Sequence, residues 1–108
     1  MSKKTTESIR LKLPALNEQR GTYFFQLFVT GSLPNSVRAI KNINAICEEH
    51  LKGCYKLEVI DIHEQPSIAL KEEIIAVPFL VKKFPLPELR MIGDLSNIEM
   101  VLKTLDLV

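Results

Sequence analysis

The feature that most narrows the fold of this chain is an unbroken succession of strand, tight loop, long helix and second strand between Tyr23 and Ile62. Tyr23 to Thr30 is almost continuously aromatic or branched and is bounded by Gly21 and Gly31, the pattern of a central strand buried on both faces. Gly31 to Pro34 reads as a turn. Val37, Ile40, Ile43, Cys47 and Leu51 then recur at steps of three and four, which aligns them along one side of a helix capped by Asn35 or Ser36 and ending near Lys52 and Gly53. Tyr55 to Ile62 is the second strand, with Leu57, Val59 and Asp61 expected on one face. A crossover through a helix returns the second strand parallel to the first, and such units are right-handed.

Beyond Pro66 the pattern is weaker. Ser67 to Ile75 is predicted to form a short helix capped by Ser67. Ala76 to Val81 is predicted as a strand interrupted by Pro78, a residue tolerated there at an edge, at a bulge or where a cis bond turns the chain. Pro85 and Pro87 frame a turn and Leu89 to Ile92 is a short strand. Ser96 followed by Glu99 is a capping box that opens a helix from Asn97 to Leu105. The order is βαβαββα, an α/β class with a thioredoxin-like pattern. Residues 1–20, in which Ile9, Leu11 and Leu13 alternate before Pro14, are expected to form a flexible N-terminal arm able to pair as an edge strand or dock on a neighbouring subunit. Residues 21–108 are expected to form the single domain.

Fourteen Lys and Arg against thirteen Asp and Glu leave a formal charge of +1, too little to hold a nucleic-acid backbone or an acidic membrane. No apolar run approaches the ~20 residues that span a bilayer, and the first residues lack a signal-peptide core, so a cytoplasmic protein is expected. Cys47 and Cys54 match neither a redox Cys-x-x-Cys nor paired zinc-ligand spacing and are expected to be free thiols. His50 and His63 are isolated, and no metal or cofactor is expected. Thioredoxin-like enzymes carry their thiols at the start of the first helix, where Ser32 and Asn35 stand here. Disulfide exchange at this loop is excluded, and the chain is read as a non-enzyme.

The run Gly31, Pro34, Asn35, Ser36, Val37, Arg38, Ala39 resembles the KaiB family, and further matches follow in order. These are Gly53 with Tyr55, Val59-Ile60-Asp61, Gln65 or Pro66 before the acidic stretch, Ala76 with Pro78, Arg90 with Ile92-Gly93-Asp94-Leu95-Ser96, and Leu105-Asp106-Leu107. The resemblance spans Tyr23 to Val108. It implies a non-enzymatic regulator that binds a KaiC-like hexameric RecA-type ATPase and autokinase and modulates its phosphorylation, in circadian timing or a related stress response. It also implies possible partnership with KaiA. Because KaiB-like domains occur as sensor regions of histidine kinases, another ATPase or signalling kinase is the alternative partner, although such a sensor would need a long C-terminal extension.

The family's metamorphic habit implies a second arrangement, βαββααβ, in homo-dimers or tetramers, and this is the form expected to crystallise. Pro78, Pro85, Pro87 and Thr104 are the candidate positions for that switch. Arg38, Lys82 and Arg90, which match basic family positions, and Asp106 near the end of the last helix are the candidate partner contacts. The chain departs from the family at Glu73, where a lysine is common, and at Thr104, where glycine is usual, and with Val108 closing the sequence it is expected to lack the family's acidic tail.

Overall fold

A computed structural model of the protein describes residues 22–31 and 33–107. The expected N-terminal arm, Ser32 and Val108 lie outside the described residues. Strand β1 (Tyr23–Val29) leads into helix α1 (Pro34–His50) and strand β2 (Tyr55–Asp61). Helix α2 (Pro66–Lys71), strands β3 (Phe79–Phe84) and β4 (Leu89–Ile92) and helix α3 (Ile98–Thr104) follow, completing the elements of the described residues. The strands form one sheet in the order β2-β1-β3-β4. Tyr23 to Val29 pair in parallel with Tyr55 to Asp61, and β3 pairs antiparallel with both β1 and β4. This is the thioredoxin-like βαβαββα order. The rearranged βαββααβ second half is not the arrangement adopted here, since α2 separates β2 from β3 and the β3–β4 hairpin precedes α3.

Alternation along β1 builds two cores. Phe25, Leu27 and Val29 face α1 and α3, where they join Ala39, Ile43, Cys47 and Val101. Phe28 points the other way, onto Ile60, Phe79 and Val81, with Ile68 of α2 packed against them. Cutting back a fully buried ring such as Phe25 to Ala costs about 3–5 kcal/mol, the transfer term plus the cavity. The two faces are unequally covered. Six residues of α2 extend about 9 Å, and none of them is buried. Seven residues of β1 run about 23 Å, so the end of that face carrying Phe24 lies beyond the helix.

Several local expectations shift, each for a physical reason. The cap of α1 is Leu33, with Pro34 at the first helical position and no side-chain cap bond, so Asn35 and Ser36 fall inside the helix. Ser36 is fully buried and its hydroxyl accepts the N–H of Thr30 at 3.2 Å. Helix α2 begins at Pro66 and stops at Lys71 because Glu73 takes φ 59°. The N–H groups of Glu73 and Ile74 then reach back to the carbonyls of Leu70 and Ala69, the Schellman closure. Strand β3 begins after Pro78 and continues to Phe84, and the bonds preceding Pro78, Pro85 and Pro87 are cis. Phe24 opposes Phe84 while Phe25 opposes Lys82, so Lys83 is the extra residue of a bulge. In β2, an edge strand, Ile60 is buried and Val59 is 44% exposed. The cap of α3 is Asn97 rather than Ser96, its Oδ1 accepting the Met100 N–H at 3.2 Å.

Candidate protein-docking face

The loop that leaves β1 is stitched to the end of β2. Val29 and Asp61 are paired neighbours, and the Val29 carbonyl accepts the N–H of Ile62 at 3.0 Å. Asp61 accepts the N–H of His63 at 2.8 Å and that of Gly31 at 2.9 Å. These bonds, the one from His63 foremost, hold its carboxyl below the usual carboxylate range. Asp61 is therefore a loop staple rather than a member of an inner face. It fixes where the first turn of α1 begins.

That turn meets the loop between β4 and α3. Arg38 Nε donates to Asp94 Oδ2 at 2.8 Å, and Asn42 Nδ2 donates to the Asp94 carbonyl, also at 2.8 Å. Asp94 Oδ1 accepts the Ser96 N–H at 3.1 Å. The Arg38 guanidinium, with Ser96 second, keeps the Asp94 carboxyl below its ordinary value. Two segments far apart in sequence, Pro34 to Ala39 and Gly93 to Ser96, thus become one surface. A shallow depression of about 130 Å³ lies beside it, lined by Met91 through Asn97 with Met100 and Val101. Leu33 and Val37 at the start of α1 and Ile98 and Met100 at the start of α3 are all exposed. Apolar side chains around a fixed, charged hydrogen-bonding pair suit recognition of another protein.

The other candidates lie elsewhere. Arg90 is engaged within the chain. Its guanidinium donates to the Glu72 carbonyl at 2.7 Å, to Glu72 Oε1 at 3.1 Å and to Glu88 Oε2 at 3.1 Å, and it lies 5.7 Å from the Phe79 ring centre. Lys83 binds the same two carboxylates, at 3.1 Å to Glu72 and 3.4 Å to Glu88. This network fastens the end of α2 to the hairpin, raising the Lys83 pKa chiefly through Glu72 and lowering that of Glu88 chiefly through Arg90. Lys82 is not an open surface cation but 5% exposed. Because β3 runs on past Val81, Lys82 alternates with Leu80 onto the α1 side, its ammonium 5.9 Å from the Tyr23 ring centre. Asp106 is exposed beyond α3 with φ 60°, and Thr104 is the exposed last residue of that helix. Pro78 is buried, its carbonyl accepting the Gly93 N–H at 2.9 Å, while Pro85 and Pro87 lie in the hairpin turn.

Asp94, Asn42, Glu72, Lys83 and Glu88 were not singled out by the sequence. Asp94 alone carried a usable signal, as the acidic residue of a segment matched to the family together with Arg38. Neither thiol lies at the start of α1. Cys47 is buried in its C-terminal half, and that burial, helped by Glu48, pushes its pKa up to about 12. Cys54 donates its S–H to the Leu51 carbonyl at 3.2 Å. Among the described residues no group of three or more His, Cys, Asp or Glu is placed to hold a metal ion, and no helix is long and apolar enough to cross a membrane.

Comparison with known proteins identifies the family and the fold. Residues 26–107 match the family model described as the KaiB domain. The chain is 51% identical over 89 residues to the circadian clock oscillator protein KaiB of Thermostichus vulcanus, covering 82% of each chain. Among solved structures, the N-terminal domain of Synechococcus elongatus SasA superposes with a TM-score of 0.61 at 28% identity, over 90% of this chain and 92% of that one. The Drosophila melanogaster thioredoxin Deadhead superposes with a TM-score of 0.66 at 10% identity, over 85% of this chain and 87% of that one. The second likeness is one of fold alone, placing the architecture among thioredoxin-like domains. With a family model spanning almost all of the described residues and half of the aligned positions identical to a named relative, the chain belongs to the KaiB family.

Proposed function

We infer that this protein is a non-enzymatic clock-type regulator that docks on a KaiC-like hexameric ATPase and modulates its phosphorylation state. The observation that carries the reading is the Arg38–Asp94 contact, which unites the two sequence segments most specific to the family into one exposed face. The fold supports binding rather than redox work, since Asn35 stands in the first turn of α1 and Cys47 is sealed in the core. Arg38 and Asp94 anchor the docking face in this reading. Arg90 and Lys82 support it from within by holding the hairpin and the sheet, and Asp106 extends it past α3. A change of arrangement in the second half, centred on Pro78, Pro85, Pro87 and Thr104, accompanies assembly into dimers or tetramers, and KaiA is a further partner. The likeness to the SasA N-terminal domain favours a second reading, an interaction module for another ATPase or a signalling kinase.

The test is co-elution of the purified chain with a KaiC-like hexamer of the same organism after long incubation with ATP, with phosphorylation of the hexamer followed in parallel. A complex that forms with the parent chain and is lost in Arg38→Ala supports the docking face. Absence of a complex at high micromolar concentration moves the assignment to the second reading.

A further inference from the structure

The sheet face that α2 leaves uncovered ends in a groove of about 560 Å³ lined by Thr22, Phe24, Phe84, Pro85 and Leu86. It is markedly apolar. Phe84 is 54% exposed and Leu86 73% exposed, and the bulge at Lys83 turns Phe84 to the same side as Phe24. Lys56 forms the polar rim, its ammonium 5.4 Å from the Phe24 ring centre. A contiguous apolar surface of this kind calls for a cover.

We propose that residues 8–14 of this same chain dock in that groove, with Ile9, Leu11 and Leu13 inserted against Phe24, Phe84 and Leu86. Three observations select this occupant. The upstream chain enters the domain at Thr22, which itself lines the groove, so the segment is already tethered at the site. Residues 14–21, from Pro14 to Gly21, can span about 28 Å when extended, ample for the chain to turn back over the face. A short tether of this kind supplies an effective concentration in the millimolar range, which a free second copy does not match. Finally, alternation places Ile9, Leu11 and Leu13 on one side, with Arg10 and Lys12 on the other, so a docked segment buries three apolar side chains and keeps both charges in water.

The experiment replaces exposed Leu86 by a photoreactive residue, Leu86→p-benzoylphenylalanine, in the full chain and maps the cross-links by mass spectrometry. Cross-links within one chain to residues 8–14 are expected. Covalently joined copies, or cross-links that omit residues 8–14, overturn the proposal. A second measurement compares tryptic cleavage after Arg10 and Lys12 in the parent and in Phe84→Ser/Leu86→Ser, with cleavage after Lys4 as the reference. Docking predicts cleavage at least tenfold slower in the parent, and equal rates overturn it.

Discussion

Arg38 Nε and Asp94 Oδ2 lie 2.8 Å apart across 56 positions of sequence, joining the βαβ half of the protein to the loop that opens α3. Asn42 reinforces the contact through the Asp94 carbonyl. With 56% of the Arg38 side chain exposed, water screens the pair, and exposed pairs add little to stability. Arg38→Ala should therefore leave the urea midpoint almost unchanged while weakening partner binding at least tenfold, as read by titration calorimetry. The charge swap Arg38→Asp/Asp94→Arg restores the internal tie with its polarity inverted. Binding that stays lost in the swap assigns Arg38 a direct contact, whereas full recovery assigns it a purely structural one.

Acid should lower the stability of this protein modestly, through a small set of solvent-accessible carboxylates. Asp94, Asp61 and Glu88 are held below their ordinary pKa values by Arg38, by the His63 N–H and by Arg90, respectively. A depressed carboxylate contributes stability that is complete above its unfolded value, near 4, and disappears as the pH falls through its lower folded value. Stability measured by urea denaturation should hold between about pH 5 and 8 and decline below about pH 4, with Asp61→Asn and Asp94→Asn flattening the decline. Lys83 works in the opposite direction. Its raised pKa gives stability that is present below 10.5 and lost as the pH climbs past the folded value, so Lys83→Met should blunt alkaline unfolding.

The two thiols should differ sharply in reactivity. The Cys47 side chain is fully buried, and burial followed by the Glu48 charge pushes its pKa up to about 12. Only the thiolate is nucleophilic. Cys54 is partly exposed beyond the end of α1. Iodoacetamide at pH 8 should label Cys54 within minutes and Cys47 only as fast as the domain opens, with mass spectrometry counting the adducts. Rapid double labelling in the native state contradicts the packing of α1 on β1.

How much of this was legible follows from which interactions are local. The first βαβ unit could be read because β1 is apolar almost throughout and α1 keeps a helical stripe over 17 residues. The second half resists reading because α2 has six residues and none buried, β4 has four, and α3 buries only Val101. Their limits are set by tertiary contacts such as the bond from Gly93 to Pro78. Lys82 was expected at the surface because nothing local shows that β3 continues past Val81. At the candidate site, Arg38 could be found through family resemblance. Its bond to Asp94 could not, since no periodicity relates residues so distant in sequence.

The helices of the second half end on unfavourable residues. Glu73 after α2 and Asp106 after α3 take φ 59° and 60°, and each occupies the left-handed position of a Schellman closure, with Leu107 reaching back to the Leu102 carbonyl in the second case. Glycine fits that position without a Cβ clash, whereas an L side chain there costs about 1 kcal/mol, partly offset by the greater freedom of glycine in the unfolded chain. A negative charge at a helix C-terminus also opposes the helix dipole. Glu73→Gly and Asp106→Gly should therefore each stabilise the described arrangement by about 0.5 kcal/mol, raising Tm by roughly 2–4 °C. Differential scanning calorimetry of the single and double variants checks this, and because α2 and α3 pack into separate cores on opposite faces of the sheet, additive shifts are the expected result. A drop in Tm for either variant would show that its carboxylate makes a contact worth more than the backbone strain it imposes.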